Sequence, residues 1–309
     1  MNKKAAKSLF SEAQLGISFA LGCYIFWGLF PLYWHIIGSF GLDPVQILAQ
    51  RITWSSVFAI ILLIVSQQHK AFFEAFTQPT VLLVFFLSAL TLSFNWLTYI
   101  YGISINRVLD TSLGYFMSPL VSIFLARVFV GERISSSQLV AVILAALGVI
   151  WLSVLSGDIP WIAIILSSTW GIYSIFRKKA SLPVIPGFAL ETIMMLPFAL
   201  LYLAWLNKQG ELLFSSLSAL QISILISTGI VTALPLLFFA AAVKRSSLAT
   251  ISILQYISPT IQFLIGLFIM NEVFDLTRFF GYLLVWLGVI VFSFSSFKQY
   301  QHTRTTKHR

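Results

Sequence analysis

The chain has 309 residues, of which 59% are hydrophobic and only 9% are charged, and its formal net charge is +9. A soluble domain has about a quarter of its residues charged, so this composition excludes a water-soluble globular protein. The single cysteine, Cys23, excludes an intrachain disulfide and a cysteine-rich metal site. Apolar runs close to the roughly 20 residues that cross a bilayer recur along the chain. They predict an all-α polytopic membrane protein.

The apolar runs and their interruptions predict ten membrane spans. In chain order they are 13–37, 44–66, 79–101, 108–129, 136–156, 159–177, 184–206, 217–241, 248–270 and 277–297. A proline inside a span removes one backbone hydrogen bond and can kink the helix. We expect kinks or hinges at Gly28 and Pro31 in the first span, Pro119 in the fourth and Pro259 in the ninth.

Positive charge is distributed unevenly between the loops. With the N-terminus placed in the cytoplasm, the cytoplasmic segments carry Lys3, Lys4, Lys7, Lys70, Arg133, Arg177, Lys178, Lys179, Lys244, Arg245, Lys298, Arg304, Lys307 and Arg309. The external loops carry only Arg107, Lys208 and Arg278. This positive-inside pattern predicts that both termini are cytoplasmic. It favours a membrane protein over a nucleic-acid-binding one, although a basic tail is the alternative interpretation of the net charge.

The chain contains an internal repeat. A shift of 140 residues places SPLVSIFLARVFVGE (118–132) on SPTIQFLIGLFIMNE (258–272), and a shift of 143 places Trp27–Gly28 on Trp170–Gly171. Because each copy holds five helices, an odd number, the second copy must enter the membrane from the opposite side. The result is an inverted-topology repeat, an architecture typical of secondary transporters.

We therefore predict two units, residues 1–156 with helices 1–5 and residues 157–309 with helices 6–10 and a basic cytoplasmic tail. Glu132 and Glu272 end equivalent helices, where a capping or loop role is expected. Gly148 and Gly288 indicate close packing of helices 5 and 10.

The chain contains the segments FWGLFPLYW, QRITWS, NWLTYIYGISINRVLDTSLGYFMSPLVSIFLARVFVGER, ETIMMLP and GIVTALPLLFFAAAVKRSSLATISILQYISPT. These segments resemble the RarD family of EamA-type proteins in the drug/metabolite transporter superfamily. The resemblance covers about residues 13 to 295 and implies a ten-helix protein of the bacterial inner membrane. It also implies a cavity between helices 1–4 and 6–9, and export of a small organic molecule. The family often has His where this chain has Gln50, before Arg51.

Two ionisable side chains lie inside predicted spans and need an explanation, because charge in hydrocarbon is costly. Arg51 lies about two turns into helix 2, and Glu191 lies at the mirrored depth in helix 7. One hypothesis is that both face the cavity, with Arg51 binding an anionic substrate and Glu191 carrying a coupling proton. The alternative is that each snorkels to its nearer interface or pairs with a neighbour. Mirrored depths argue against a direct Arg51–Glu191 ion pair.

Polar and aromatic residues cluster on helices 3 and 4 and at the equivalent of helix 4 in the second copy. As substrate-binding candidates, together with Arg51, we name Asn95, Trp96, Tyr99, Ser112, Tyr115, Gln255 and Tyr256. Packing between helices is the alternative for each of them.

These features predict a secondary transporter that exports small organic metabolites or drugs by alternating access, with proton coupling as one option. The alternatives are an amino-acid or related metabolite permease working in the uptake direction, a membrane-embedded enzyme, and a receptor. The four histidines form no metal-spaced pair inside a span, and no P-loop is present. We therefore expect no enzyme activity, metal, cofactor, ATP or nucleic acid. The expected partners are a small-molecule substrate and the lipid bilayer, with the chain a monomer or a weak homodimer.

Overall fold

The computed structural model describes residues 12–131, 135–155, 159–179, 182–243, 245, 251 and 254–307. Twelve α-helices and one 3₁₀ helix run through these residues, and no strand occurs among them. The α-helices are α1 (Glu12–Gly28), α2 (Phe30–Gly38), α3 (Pro44–Val65), α4 (His69–Ala75), α5 (Pro79–Ser104), α6 (Val108–Val130), α7 (Ser136–Leu155), α8 (Trp161–Lys179), α9 (Val184–Gln209), α10 (Ala219–Val243), α11 (Ile257–Phe268) and α12 (Leu276–Lys307). The 3₁₀ helix is Leu213–Ser216.

The predicted all-α membrane fold is confirmed. Within the described residues, eight stretches are long and apolar enough to cross a bilayer, and α1 with α2 forms the first of them. The remaining predicted spans correspond to α8, which has 19 residues, and to the shorter apolar helix α11. Residues 248–250, 252 and 253 of the ninth predicted span lie outside the described part of the chain, as do residue 156 of the fifth span and Glu132. Of the basic residues counted above, Lys3, Lys4, Lys7, Arg133, Lys244 and Arg309 also lie outside it.

The short helix α4 was not predicted. It lies between the second and third spans, and its Phe72 and Ala75 are buried in a cluster with Phe85 and Phe188. Because α4 has only seven residues, its apolar side chains produce no run of membrane length. It covers one end of the helix bundle instead of crossing the membrane.

Helix ends follow local backbone chemistry. The Asp43 side chain accepts hydrogen bonds from the backbone N–H groups of Val45 and Gln46, at 2.8 and 3.0 Å, and Pro44 occupies the first turn of α3. These are strong N-terminal signals for a helix. Gly131 and Gly210 end α6 and α9 with φ angles of 73° and 75°, a left-handed conformation that glycine adopts without strain.

The first span is broken, as Gly28 and Pro31 predicted. Helix α1 ends at Gly28, and α2 begins at Phe30 with Pro31 in its first turn. Pro31 has no N–H to donate to the carbonyl of Trp27, four residues earlier. The Gln262 side chain of α11 donates to that carbonyl at 3.2 Å instead. A neighbouring helix therefore repairs the hydrogen bond that the proline removes.

The two repeats interlock as an inverted pair. Helix α6 packs on α8 and α5 packs on α8, while the equivalent contacts in the other direction are α11 on α1 and α10 on α1. Equivalent helices also meet each other directly, in the pairs α3 with α9, α6 with α11, and α7 with α12. The three pairs of equivalent helices lie around the pseudo-two-fold axis. Every repeat thus completes its packing on the other repeat.

Helices α7 and α12 approach closely through glycines, which confirms the packing predicted for Gly148 and Gly288. A Cβ atom built on Gly148 would lie 2.7 Å from the carbonyl oxygen of Gly281, and one on Gly288 would lie 2.8 Å from the carbonyl oxygen of Ala141. Backbone atoms on the facing helix leave no room for a side chain at either position.

We expect Gly148→Ala to lower the thermal stability of the purified protein. The added methyl group must separate α7 from α12, and such overpacking costs about 1–3 kcal/mol. Gly38→Ala is the matched control, since a Cβ there meets nothing within 4 Å. The measurement is thermal unfolding in detergent. Equal midpoints for the two variants would contradict the assigned packing.

Candidate functional site: a central cavity between the repeats

A cavity of about 110 Å³ lies between the two repeats. Helices α7, α9 and α12 supply none of its described lining, so α7 and α12 are peripheral to it. The lining residues are Tyr24, Trp27, Phe30, Arg51, Leu92, Asn95, Trp96, Tyr99, Tyr115, Ser118, Pro119, Trp170, Tyr173, Thr232, Leu236, Gln255, Ser258, Pro259 and Gln262.

Most lining residues are equivalent to each other under the repeat. The pairs, at shifts of 143 or 140 residues, are Trp27 with Trp170, Phe30 with Tyr173, Leu92 with Thr232, Trp96 with Leu236, Tyr115 with Gln255, Ser118 with Ser258, and Pro119 with Pro259. The cavity therefore lies on the pseudo-two-fold axis that relates the repeats. The five lining residues without an equivalent in the lining are Tyr24, Arg51, Asn95, Tyr99 and Gln262.

Arg51 is buried in the cavity wall, with only 3% of its surface exposed. Its guanidinium carbon lies 4.7 Å from the ring centre of Trp34 and 3.9 Å from that of Trp96. Its Nε atom donates to the Thr232 hydroxyl at 3.1 Å. The terminal NH₂ groups have neither a hydrogen-bond partner nor a carboxylate within the described chain. Cation–π contacts and one hydrogen bond thus hold a positive charge that no acidic side chain neutralises.

Two buried amides each use their NH₂ group on protein carbonyls. Asn95 donates to the Leu166 carbonyl at 3.0 Å, and Gln262 donates to the Trp27 carbonyl at 3.2 Å. A flipped amide would place oxygen against carbonyl oxygen, so these bonds determine which end of each side chain is the acceptor. The amide oxygens of both residues are buried without a described partner, as is the Tyr99 hydroxyl.

Aromatic rings form much of the wall. Trp27 and Trp170, the equivalent tryptophans of the two repeats, meet edge to face with ring centres 6.4 Å apart. Tyr115 contacts both Trp170 and Tyr99, at 6.5 and 5.5 Å between ring centres. The WG motif thus brings equivalent residues together at the axis.

Of the predicted substrate-binding residues, the structure brings Arg51, Asn95, Trp96, Tyr99, Tyr115 and Gln255 to the cavity lining. It places Ser112 and Tyr256 outside that lining. The Ser112 hydroxyl donates to the Pro259 carbonyl at 2.8 Å and so connects α6 to α11. The Tyr256 ring stacks on Phe116, with centres 6.3 Å apart.

Glu191 lies outside the cavity lining, and it is buried, with 3% of its surface exposed. Its Oε1 atom accepts a hydrogen bond of 2.6 Å from the Ser88 hydroxyl and lies 3.7 Å from Nη1 of Arg177. Tyr173, which lines the cavity, also interacts with this carboxyl group. Glu191 is therefore paired with Arg177, not with Arg51, and Tyr173 connects it to the cavity lining.

Arg177 was missed as a site residue because it was assigned to a basic cytoplasmic segment. It reaches Glu191 because only four residues of sequence separate α8 from α9 and because Gly187 lacks a side chain. A Cβ on Gly187 would lie 2.6 Å from Nη1 of Arg177. The repeat contained a signal, since a shift of 143 places Trp34 on Arg177 and a shift of 140 places Arg51 on Glu191. Trp34 contacts Arg51 just as Arg177 contacts Glu191.

Trp27, Trp170, Tyr173, Thr232 and Gln262 were missed as well. Trp27 and Trp170 stand in the WG motif that revealed the repeat. That recurrence was the available clue to their position at the axis. No local pattern distinguishes Thr232 or Gln262 from other polar residues of the spans.

Glu272 lies in the loop between α11 and α12, outside the spans, and performs the predicted capping role on the other repeat. Its carboxylate accepts hydrogen bonds from the backbone N–H groups of Val108 and Leu109, which begin α6. Burial raises the pKa of this carboxyl group to about 7, against the lowering effect of the two N–H groups. The nearby Asp110 also raises it, whereas Arg278 lowers it.

Comparison with known proteins agrees with this architecture. The model of the EamA-like transporter family matches residues 14–154 and, separately, residues 159–294. The chain belongs to the EamA-like transporter family. The family model therefore matches the chain twice, in two consecutive segments.

Relatives of known name support the same assignment. The uncharacterized transporter YojE of Bacillus subtilis is 38% identical over 93% of this chain and 96% of its own length. Protein RarD of Escherichia coli is 32% identical over 96% of this chain and 99% of its own length. One crystal structure superposes with a TM-score of 0.54 at 15% identity, covering 93% of this chain and 99% of the other, which supports the fold alone. The chain is thus an EamA membrane transporter similar to RarD proteins.

Among the described residues, no group of three or more His, Cys, Asp or Glu side chains could hold a metal ion. The described lining of the cavity offers aromatic faces, one guanidinium and several neutral hydrogen-bonding groups.

We expect the stability of the protein to depend on pH through Glu272. Because the folded state raises the pKa from 4.5 to about 7, it binds this proton more tightly than the unfolded state does. The stabilisation is complete below the unfolded pKa and is lost as the pH rises through about 7. Thermal unfolding midpoints between about pH 5 and pH 8 should therefore fall more steeply for the wild type than for Glu272→Gln.

The matched control for this pH dependence is Glu211→Gln, which removes an exposed carboxylate. Its midpoints should follow those of the wild type. Parallel curves for the wild type and Glu272→Gln would show that Glu272 does not titrate in this range.

Proposed function

We propose that this protein is a secondary transporter that exports small organic metabolites or drugs across the bacterial cytoplasmic membrane by alternating access. The observation that carries the proposal is the cavity on the pseudo-two-fold axis, lined largely by pairs of equivalent residues from the two repeats. In inverted-repeat transporters, the substrate binds near the membrane midplane, and the two halves exchange inward-open and outward-open shapes around it. A cavity shared by both repeats suits that exchange.

The orientation follows from the positive-inside distribution of lysine and arginine. Both termini face the cytoplasm, so the end of the bundle that contains Glu191, Arg177 and α4 is cytoplasmic. The end that contains the loop between α2 and α3 is external. The Arg177–Glu191 pair then lies between the cavity and the cytoplasm.

In this proposal, Glu191 carries the coupling proton. When Glu191 is ionised, the Arg177 guanidinium and the Ser88 hydroxyl hold it, which fastens α8 and α5 to α9. A proton on the carboxylate removes the charge that attracts Arg177 and so weakens the contact between α8 and α9. Tyr173 transmits the change, since it contacts Glu191 and lines the cavity. Proton binding and the substrate site are thereby connected through one side chain.

In this mechanism the helices move at their prolines and at the break in the first span. Pro119 and Pro259 lie at equivalent points of the cavity wall, and the break at Gly28 and Pro31 exists only in the first repeat. The equivalent of Pro31 in the second repeat is Ser174, inside the unbroken helix α8. The proposed hinge of the first span therefore makes the opening of the two ends unequal.

We expect Glu191→Gln to abolish transport driven by a pH gradient, because the amide cannot exchange a proton. The measurement is efflux of metabolites from proteoliposomes with and without an imposed gradient. Glu74→Gln is the matched control, since it removes an exposed carboxylate at the same end of the bundle. Gradient-driven transport that survives in Glu191→Gln would remove the coupling role from this residue.

Metabolites for that assay come from comparing the medium of cells that overproduce the protein with that of cells that lack it. An exporter raises the external level of its substrate when overproduced. A protein working in the uptake direction lowers it, and this result would overturn the proposed direction.

We expect Pro31→Ala to slow transport without unfolding the protein. Alanine restores an N–H that can bond the Trp27 carbonyl, so it stiffens the junction between α1 and α2 and competes with Gln262. The turnover rate should fall while the thermal midpoint stays equal or rises. An unchanged rate would show that the proline is merely tolerated.

A further inference from the structure

The asymmetric part of the cavity indicates what the transporter binds, an inference that rests on the proposed function. Seven pairs of lining residues obey the repeat, and five lining residues do not. Four of these five, Arg51, Asn95, Tyr99 and Gln262, are those that bring a charge or an unpartnered polar atom to the wall. Paired positions thus form most of the wall, whereas the positive charge and the buried polar atoms without a described partner lie at positions that only one repeat supplies.

These four side chains are strongly buried, with exposed fractions of 3% for Arg51, 1% for Asn95, 2% for Tyr99 and 1% for Gln262. A buried polar atom without a partner costs about 1–3 kcal/mol, so native proteins rarely retain one without a reason. Three such atoms from the lining of one cavity are explained together if a ligand completes their hydrogen bonds.

The charged and hydrogen-bonding groups of the lining indicate the chemistry of the ligand. The described lining contains one cation and no carboxylate, so the site favours a single negative charge. A dianion such as a phosphate monoester would carry one charge without compensation. The Tyr99 hydroxyl can donate to the same acid group as the Arg51 guanidinium. The oxygens of Asn95 and Gln262 only accept hydrogen bonds, so they require N–H or O–H groups on the ligand.

We propose that the substrates are amphipathic organic carboxylates with one negative charge, an aromatic or planar apolar body, and at least one N–H or O–H donor. The carboxylate pairs with the terminal NH₂ groups of Arg51. The apolar body lies against Trp27, Trp170 and Tyr115. The donor binds the amide oxygen of Asn95 or Gln262.

The test uses the full-length protein in lipid nanodiscs and three probes of similar size. N-acetylphenylalanine has the acid, the ring and an N–H donor. N-acetylphenylalanine amide has the donor and ring but no charge, and 3-phenylpropionate has the charge and ring but no amide donor. Equilibrium binding is measured for each probe by isothermal titration calorimetry.

The wild type should bind N-acetylphenylalanine about 10- to 100-fold more tightly than its uncharged amide, as expected for a charge-assisted hydrogen bond. Arg51→Gln should lose this preference. Lys208→Gln is the matched control, since it removes an exposed positive charge of α9 and should bind all probes as the wild type does. Tyr99→Phe, which removes only a hydroxyl, should weaken binding of the acid about 3- to 10-fold.

Folding of each variant is checked by its thermal midpoint and by gel filtration, and Tyr99→Phe keeps the test decisive if Arg51→Gln does not fold. The proposal is overturned if the wild type binds acid and amide equally, or binds none of the three probes. Unchanged acid binding in a folded Arg51→Gln or Tyr99→Phe would overturn it as well.

Efflux assays separate this proposal from the proposed function. If proteoliposomes transport metabolites but show no preference for carboxylates, the substrate class is wrong and the transporter function stands. If the acid preference depends on Arg51 but nothing crosses the membrane, the binding class stands and the transporter function fails.

Discussion

The burial of the Arg51 charge is the constraint on which the centre of this protein depends. A guanidinium inside a bilayer costs roughly 2.5–3.5 kcal/mol on insertion scales. The fold offsets this cost with two indole rings and one hydroxyl, and Trp34, Trp96 and Thr232 stand on three different helices. Since Thr232 belongs to the second repeat, the hydrogen bond to Arg51 forms only when both repeats are packed together. The same aromatic rings that stabilise it also shape the cavity.

Glu191 shows a different solution to the same problem. It occupies the equivalent position in the second repeat, but its charge is neutralised within the protein by Arg177. The two halves therefore bury opposite charges at opposite ends of the bundle, one with an ionic partner and one without. An ion pair between two helices can be broken by protonation, so it can control how those helices pack. A buried charge without an acidic partner can instead bind a ligand of opposite charge. This division is why we propose proton coupling for Glu191 and substrate binding for Arg51.

The spans, the repeat and the break of the first helix were predictable because each has a local cause. An apolar run of about 20 residues predicts a membrane span. Prolines and glycines at matching positions in the two halves indicate the duplication. The loss of a hydrogen bond at Pro31 is a property of proline itself. The short helix α4 escaped prediction because its seven residues make no membrane-length pattern.

The lining of the cavity was only partly predictable, because polar residues in similar sequence surroundings lie in the cavity in one case and at a helix contact in another. Asn95 and Ser112 both lie in spans, but Asn95 lines the cavity whereas Ser112 bonds the Pro259 carbonyl at a helix contact. Which one lines the cavity depends on how α5 and α6 rotate against helices far away in the chain. That rotation follows from packing across the two repeats and has no sequence pattern of its own.

The amino-acid sequence by itself determined the class of protein, the number and order of the spans, their duplication, and the two buried charges. Each of these follows from composition, periodicity or an exact register between two segments. Only the tertiary structure decided which partner each charge has and which side chains share the cavity. The physical reason is that these contacts form between separate helices, as between Arg177 and Glu191 or between Trp27 and Gln262. The packing of those helices, and not a local sequence pattern, brings the residues within contact distance.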